Sequence, residues 1–257
     1  MSHTSQRRGL DPATPGEEII VLAMIPKQHR EDEGIRDAMK ALAQKMIAHK
    51  PHQWLSHNFI ALDIPQLGSK QTLLRWMHRV RPEAARDMLF KAVAEKSSVL
   101  TAIYTREEDA CGLLRDLKGF WLEDNRRMGT PISIVLSGLF GDIDKCCRQT
   151  GIRPHTYLHS LGVRGRVDRL PNEGELELVT MCGHGLIAGQ RVQLLAERVE
   201  KGEITAEQAA EDVARPCVCG IVNQERAARI FKRLAVSPSR SFPGARAAAP
   251  PYGTSAG

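Results

Sequence analysis

The sequence predicts an α/β sandwich with a substantial parallel sheet, plus a small helical cysteine- and histidine-bearing module near its C-terminal end. Three observations predict it. Apolar runs of strand length alternate with stretches of helical periodicity through residues 18–181. The first of those runs, Ile19–Ile25, is apolar at every position, as a strand buried on both faces would be. Beyond residue 180, four soft or borderline metal ligands fall in two tight pairs with helix-forming sequence between them. The expected divisions are a disordered tail over 1–15, an α/β domain over 16–180, the module over 181–235 and a second disordered tail over 236–257.

In chain order, Pro26 closes the first strand, and a helix follows from about Glu31 with Ile35, Met39, Leu42 and Met46 on one face. Asn58–Ile64 predicts a second strand, and residues 69–96 a helix in two pieces broken at Pro82. Val99–Tyr104 reads as a third strand, followed by a helix over Glu107–Glu123 that turns Leu113, Leu114 and Leu117 inward. Ile132–Leu136 predicts a fourth strand, and the helix after it runs to about Gln149. Thr156–Val163 is expected as a fifth strand. Pro171-Asn172-Glu173-Gly174 reads as a turn, and Glu175–Met181 as a sixth strand that delivers Cys182 at its end.

The module begins with Cys182-Gly183-His184-Gly185 and returns with Cys217-Val218-Cys219-Gly220. Val192, Leu195, Ala196 and Val199 mark one face of a helix, which Gly202 ends as a left-handed residue. Thr205 and Gln208 have the spacing of a capping box for a second helix, stopped by Pro216. Asn223 is the N-cap expected for a third. A helical hairpin brings its two ends together, so Cys182, His184, Cys217 and Cys219 are the expected ligands of one metal or iron–sulfur site. Thiolates and imidazole are natural ligands for zinc and for iron in sulfide clusters. The neighbouring glycines let backbone N–H groups approach sulfur. One intervening residue per pair is tighter than the two to four of ordinary zinc fingers.

The order of a cysteine pair, two short helices, a second cysteine pair and a third helix resembles the bacterioferritin-associated ferredoxin type of [2Fe–2S] domain. The resemblance covers residues 181–231, with His184 standing at a cysteine position and the second pair one residue closer than in that family. It implies a two-iron cluster held by Cys182, His184, Cys217 and Cys219; the residues themselves leave zinc equally open.

Composition narrows the partners. The formal net charge is +6, half of it on the two tails, and aromatic residues make up 5%, so neither an electrostatic nor a base-stacking platform for nucleic acid is expected. There is no apolar run of membrane-helix length and no secretory h-region, so a cytoplasmic protein with six reduced thiols is expected. The nucleophile elbow, the Walker A loop and the dinucleotide-binding glycine fingerprint are all absent. The expected function is therefore metal or iron–sulfur binding in a redox, cofactor-assembly or regulatory role. Two alternatives stand beside it. In one, Cys182 is the nucleophile of a thiol enzyme. In the other, a structural zinc supports a scaffold that presents Arg164, Arg166 and Arg169 to a protein partner or phosphorylated ligand.

Overall fold

The computed structural model describes residues 7–56, 97–118, 131–154, 156–158, 165–217 and 219–236. Four strands form one sheet: β1 (Ile19–Met24), β2 (Gln53–Ser56), β3 (Val99–Tyr104) and β4 (Ser133–Ser137). Their order is β2-β3-β1-β4, and every neighbouring pair is antiparallel. Ile20 faces Ile103 on one side and Ser137 on the other.

The expected parallel sheet is thus overturned. The cause lies in how the connections cross. Helix α1 (Ile35–Ala48) leads from β1 to β2, and α2 (Glu107–Leu117) leads from β3 to β4. Each pair of strands so joined does run in the same direction, but another strand lies between its members. This is the split β-α-β plan. The alternation of strand and helix in the sequence is real, but it does not reveal an intervening antiparallel strand.

Alternation along β1 sorts its side chains to two faces. Ile19, Val21 and Ala23 pack with Met39, Leu42 and Met46 of α1 and with Leu113 and Leu117 of α2. Ile20 and Leu22, with Ile103 of β3, point the other way. They meet α4 (Glu173–Met181), α5 (Gly189–Glu200), α6 (Ala206–Ala214) and α7 (Gln224–Val236) through Leu178, Val192, Leu195, Val213, Ile230 and Phe231. Both faces are covered, which is why an antiparallel strand carries the unbroken apolar run usual for a parallel one. Each large apolar side chain sealed this way contributes about 1.5–3 kcal/mol.

Two further strand expectations fail. Glu175–Met181 lies within α4, whose N-cap Asn172 accepts a hydrogen bond from the Glu175 N–H at 2.9 Å. The alternation Glu175-Leu176-Glu177-Leu178 imitates a strand, but Glu177, Leu178 and Met181 are the residues α4 buries, a helical spacing. Residues 156–158 form no strand, and Tyr157 and Leu158 are exposed. The strand over Asn58–Ile64, the helices over 69–96 and the end of the helix to Glu123 lie outside the described residues.

Helix α3 (Phe140–Thr150) packs on α2, and a disulfide joins Cys111 to Cys146 with their Cα atoms 5.1 Å apart. The expectation of six reduced thiols is therefore corrected to four: Cys147, Cys182, Cys217 and Cys219 are free, and all are buried. Among the described residues no helix is long and apolar enough to cross a membrane.

Candidate metal centre

Cys182 is the C-terminal cap of α4. The chain turns at once, with the Gly185 N–H donating to the Cys182 carbonyl at 3.0 Å and Gly185 at a φ of 67°. Cys217 ends the other approach. Its N–H closes the last turn after α6 by donating to the Ala214 carbonyl at 3.0 Å. Gly220, at a φ of 72°, and Asn223, whose Oδ1 accepts from the Arg226 N–H at 3.1 Å, then launch α7. The capping box predicted at Thr205 and Gln208 is present with both its bonds, and Gly202 is left-handed as expected. These local signals bring the two ligand loops to one place.

All four predicted donors meet there. The Cys182 and Cys217 thiols are hydrogen-bonded. Cys217 Sγ lies 3.9 Å from Cys219 Sγ, and Cys219 Sγ lies 3.7 Å from His184 Nδ1. The three cysteines are buried and His184 is exposed, so the imidazole forms the solvent side of the group. The donors touch as a chain, each against the next, and no three of them lie within 4.8 Å of one another all round.

Backbone N–H groups aim at the sulfurs. Those of His184 and Leu186 reach Cys182, that of Val222 reaches Cys217, and those of Cys219 and Ile221 reach Cys219. Hydrogen bonds of this kind stabilise thiolate over thiol. The three thiols nevertheless differ. The hydrogen bond with Cys217, and then burial, push Cys182 well above the ordinary thiol range. Cys217 is drawn down by Cys182, but Cys219 and burial leave it raised. Cys219, drawn down first by Cys217 and further by backbone N–H groups, is the one held below. A nucleophilic cysteine is partly exposed and easily ionised. Cys182 has neither property; Cys219 is where charge first collects.

Ligands around a tetrahedral zinc, with Zn–S near 2.3 Å, stand about 3.8 Å apart. Two of the six ligand pairs, at 3.9 Å and 3.7 Å, stand near that spacing, and the others do not all do so, since no three of these donors lie within 4.8 Å of one another. In a two-iron cluster each iron takes two protein ligands, and bridging sulfides hold the two pairs apart. Here Cys219 of one loop lies against His184 of the other, which brings donors of both loops to one place.

Three residues that the sequence reading does not single out hold the loops. Gln53 of β2 donates through Nε2 to the carbonyls of Gly220 at 3.2 Å and Val222 at 2.9 Å, and its Oε1 accepts from the Gln224 N–H at 3.3 Å. The Thr101 hydroxyl of β3 donates to the Cys219 carbonyl. Arg7, ahead of the first strand, donates to the Met181 carbonyl at 2.8 Å. The one hint was Thr101, a polar residue within an apolar strand.

Elsewhere, the donor atoms of Glu107, Cys111 and Cys146 do lie within 4.8 Å of one another. Cys111 and Cys146 are bonded to each other, so neither offers a thiolate, and Lys145 holds Glu107 at 2.8 Å. Of the basic spot, Arg164 lies outside the described residues, and Arg166 is paired with Asp168 at 2.7 Å. Comparison with family models, with curated proteins and with solved structures finds no match for this chain.

Proposed function

We propose that this protein binds one divalent metal ion, zinc by the chemistry of its ligands, through Cys182, His184, Cys217 and Cys219. The observation that carries this reading is the line of donor contacts across the two loops, Cys217 to Cys219 at 3.9 Å and Cys219 to His184 at 3.7 Å. Four protein ligands complete a tetrahedral sphere, the composition of structural rather than catalytic zinc. The ion's role is then to lock α4 and α5 to α6 and α7 over the sheet. The assembled face is regulatory or scaffolding in function and carries out no reaction at the metal. The [2Fe–2S] cluster implied by the resemblance is the competing occupant, and with it a redox role.

Metal and acid-labile sulfide analysis of anaerobically isolated protein separates them. One zinc per chain without sulfide is expected, and loss of that zinc in the Cys217→Ser/Cys219→Ser double variant. Iron with matching sulfide and visible absorption would replace zinc with the cluster. Metal content unchanged in the double variant would sink both.

A further inference from the structure

The two ligand loops flank the α5–α6 hairpin, one at each end, and a residue more than 170 positions before the first of them spans both. Arg7 is buried, with 6% of its surface exposed. Its Nη1 donates to the carbonyl of Met181, the residue before Cys182, at 2.8 Å. Its Nη2 makes a longer bond, 3.4 Å, to the carbonyl of Ile221, two residues after Cys219. Its Nε donates at 2.8 Å to Oε1 of Glu18, a carboxylate with no exposed side-chain surface. Arg226 of α7 holds the same Oε1 at 3.1 Å. The Arg7 N–H donates to the Gly138 carbonyl at 2.9 Å, so the backbone of the arm is pinned at the end of β4 as well.

We infer that Arg7 is a positioning residue of the metal centre, setting the distance between the Cys182 loop and the Cys217–Cys219 loop. A guanidinium is a rigid planar fork. With Nε fixed on Glu18, its two outer nitrogens point in set directions, and each takes the carbonyl of one loop. The spacing of those carbonyls is thereby tied to a group anchored on the sheet. A lysine would keep the charge opposite Glu18 but has a single nitrogen and no fork. Outer partners of this kind typically control metal affinity by about 10–100-fold. The inference rests on the metal reading for its purpose but not for its geometry, and the test keeps the two apart.

The test is thiol trapping in metal-free protein, using diamide. Two thiols give up two electrons and two protons to its N=N bond, forming one disulfide and a hydrazine. Peptide mapping then gives the ratio of the between-loop product, Cys182–Cys217, to the within-loop product, Cys217–Cys219. Only the first depends on how the loops are spaced. In Arg7→Lys the ratio is expected to fall several-fold, while Val213→Ala, which weakens the core under α6 without touching Arg7, leaves it at the wild-type value. Zinc taken up by Arg7→Lys should pass to a competing chelator at least about tenfold faster than from wild type. A wild-type trapping ratio in Arg7→Lys overturns the inference. A fall in the ratio together with a wild-type protein that takes up no metal keeps the clasp and removes the metal reading.

Discussion

Glu18 is where the burial of charge is most extreme. Burial pushes its carboxyl up, but Arg7 and Arg226 more than offset that, and the group is held below the ordinary carboxylate range. A lowered folded-state value means that the ionised form is favoured by folding. Its contribution is therefore complete above the unfolded carboxylate value and is lost as pH falls through the folded one. Glu177 has the opposite sign: burial raises it despite Arg233 and Arg226, so its ionisation on raising the pH works against folding. Replacing Glu18 with Gln leaves two buried guanidinium groups short of a countercharge, and a loss of about 3–5 kcal/mol is expected at neutral pH. Urea unfolding measured across acid pH checks it: the gap between wild type and Glu18→Gln should close as the pH falls. A gap that stays constant would mean that folding does not lower the Glu18 value.

At the scale of elements, α7 buries Ala227, Ala228, Ile230 and Phe231 in the cluster that covers the second face of the sheet. Phe231, fully buried among residues from all four C-terminal helices, is its centre. Phe231→Ala is expected to cost about 3–5 kcal/mol in urea or thermal unfolding, with the cavity left behind adding to the lost burial. A cost near zero would show that the helices do not pack on the sheet as a unit. Local periodicity and capping were sufficient to place β1, α1, β3, α2, β4, α3, α5, α6 and α7 within a few residues. The direction of strand pairing was not legible, because it depends on which strands lie side by side. The sequence of α4 misled for another reason, since acidic residues at alternate positions satisfy a period of two as well as the helix that Asn172 caps. The candidate ligands were visible as residue types with short spacing. Arg7, Gln53 and Thr101 were not, because what they bind is backbone carbonyl, which any sequence supplies.

Over the whole molecule, five of the six cysteines are divided between two chemistries on opposite faces of the sheet, and the sixth, Cys147, is a free thiol beside Cys146 on α3. Cys111–Cys146 ties α2 to α3 across a sequence separation of 35, and Cys182, Cys217 and Cys219 remain thiols among the C-terminal helices. Closing a loop of that length stabilises the folded state by about 3–4 kcal/mol in the chain-entropy account. Treatment with a phosphine reductant should lower stability by that amount, read from the urea midpoint, without changing metal content. Identical unfolding with and without reductant would show that Cys111 and Cys146 are not bonded in solution.

The covered second face of the sheet also has a bearing on biosynthesis. Ile20, Leu22 and Ile103 emerge from the ribosome long before Leu178, Val192 and Phe231 can cover them. At roughly 5–20 residues per second, that apolar face waits several seconds or more for its partners. Arg7 and Glu18 wait longer still, since Ile221 and Arg226 follow them by 214 and 208 residues. A nascent chain halted before α7 therefore displays a sticky, charge-bearing sheet, the kind of surface that chaperones hold. That face is expected to close only when α6 and α7 arrive together with the second pair of thiols.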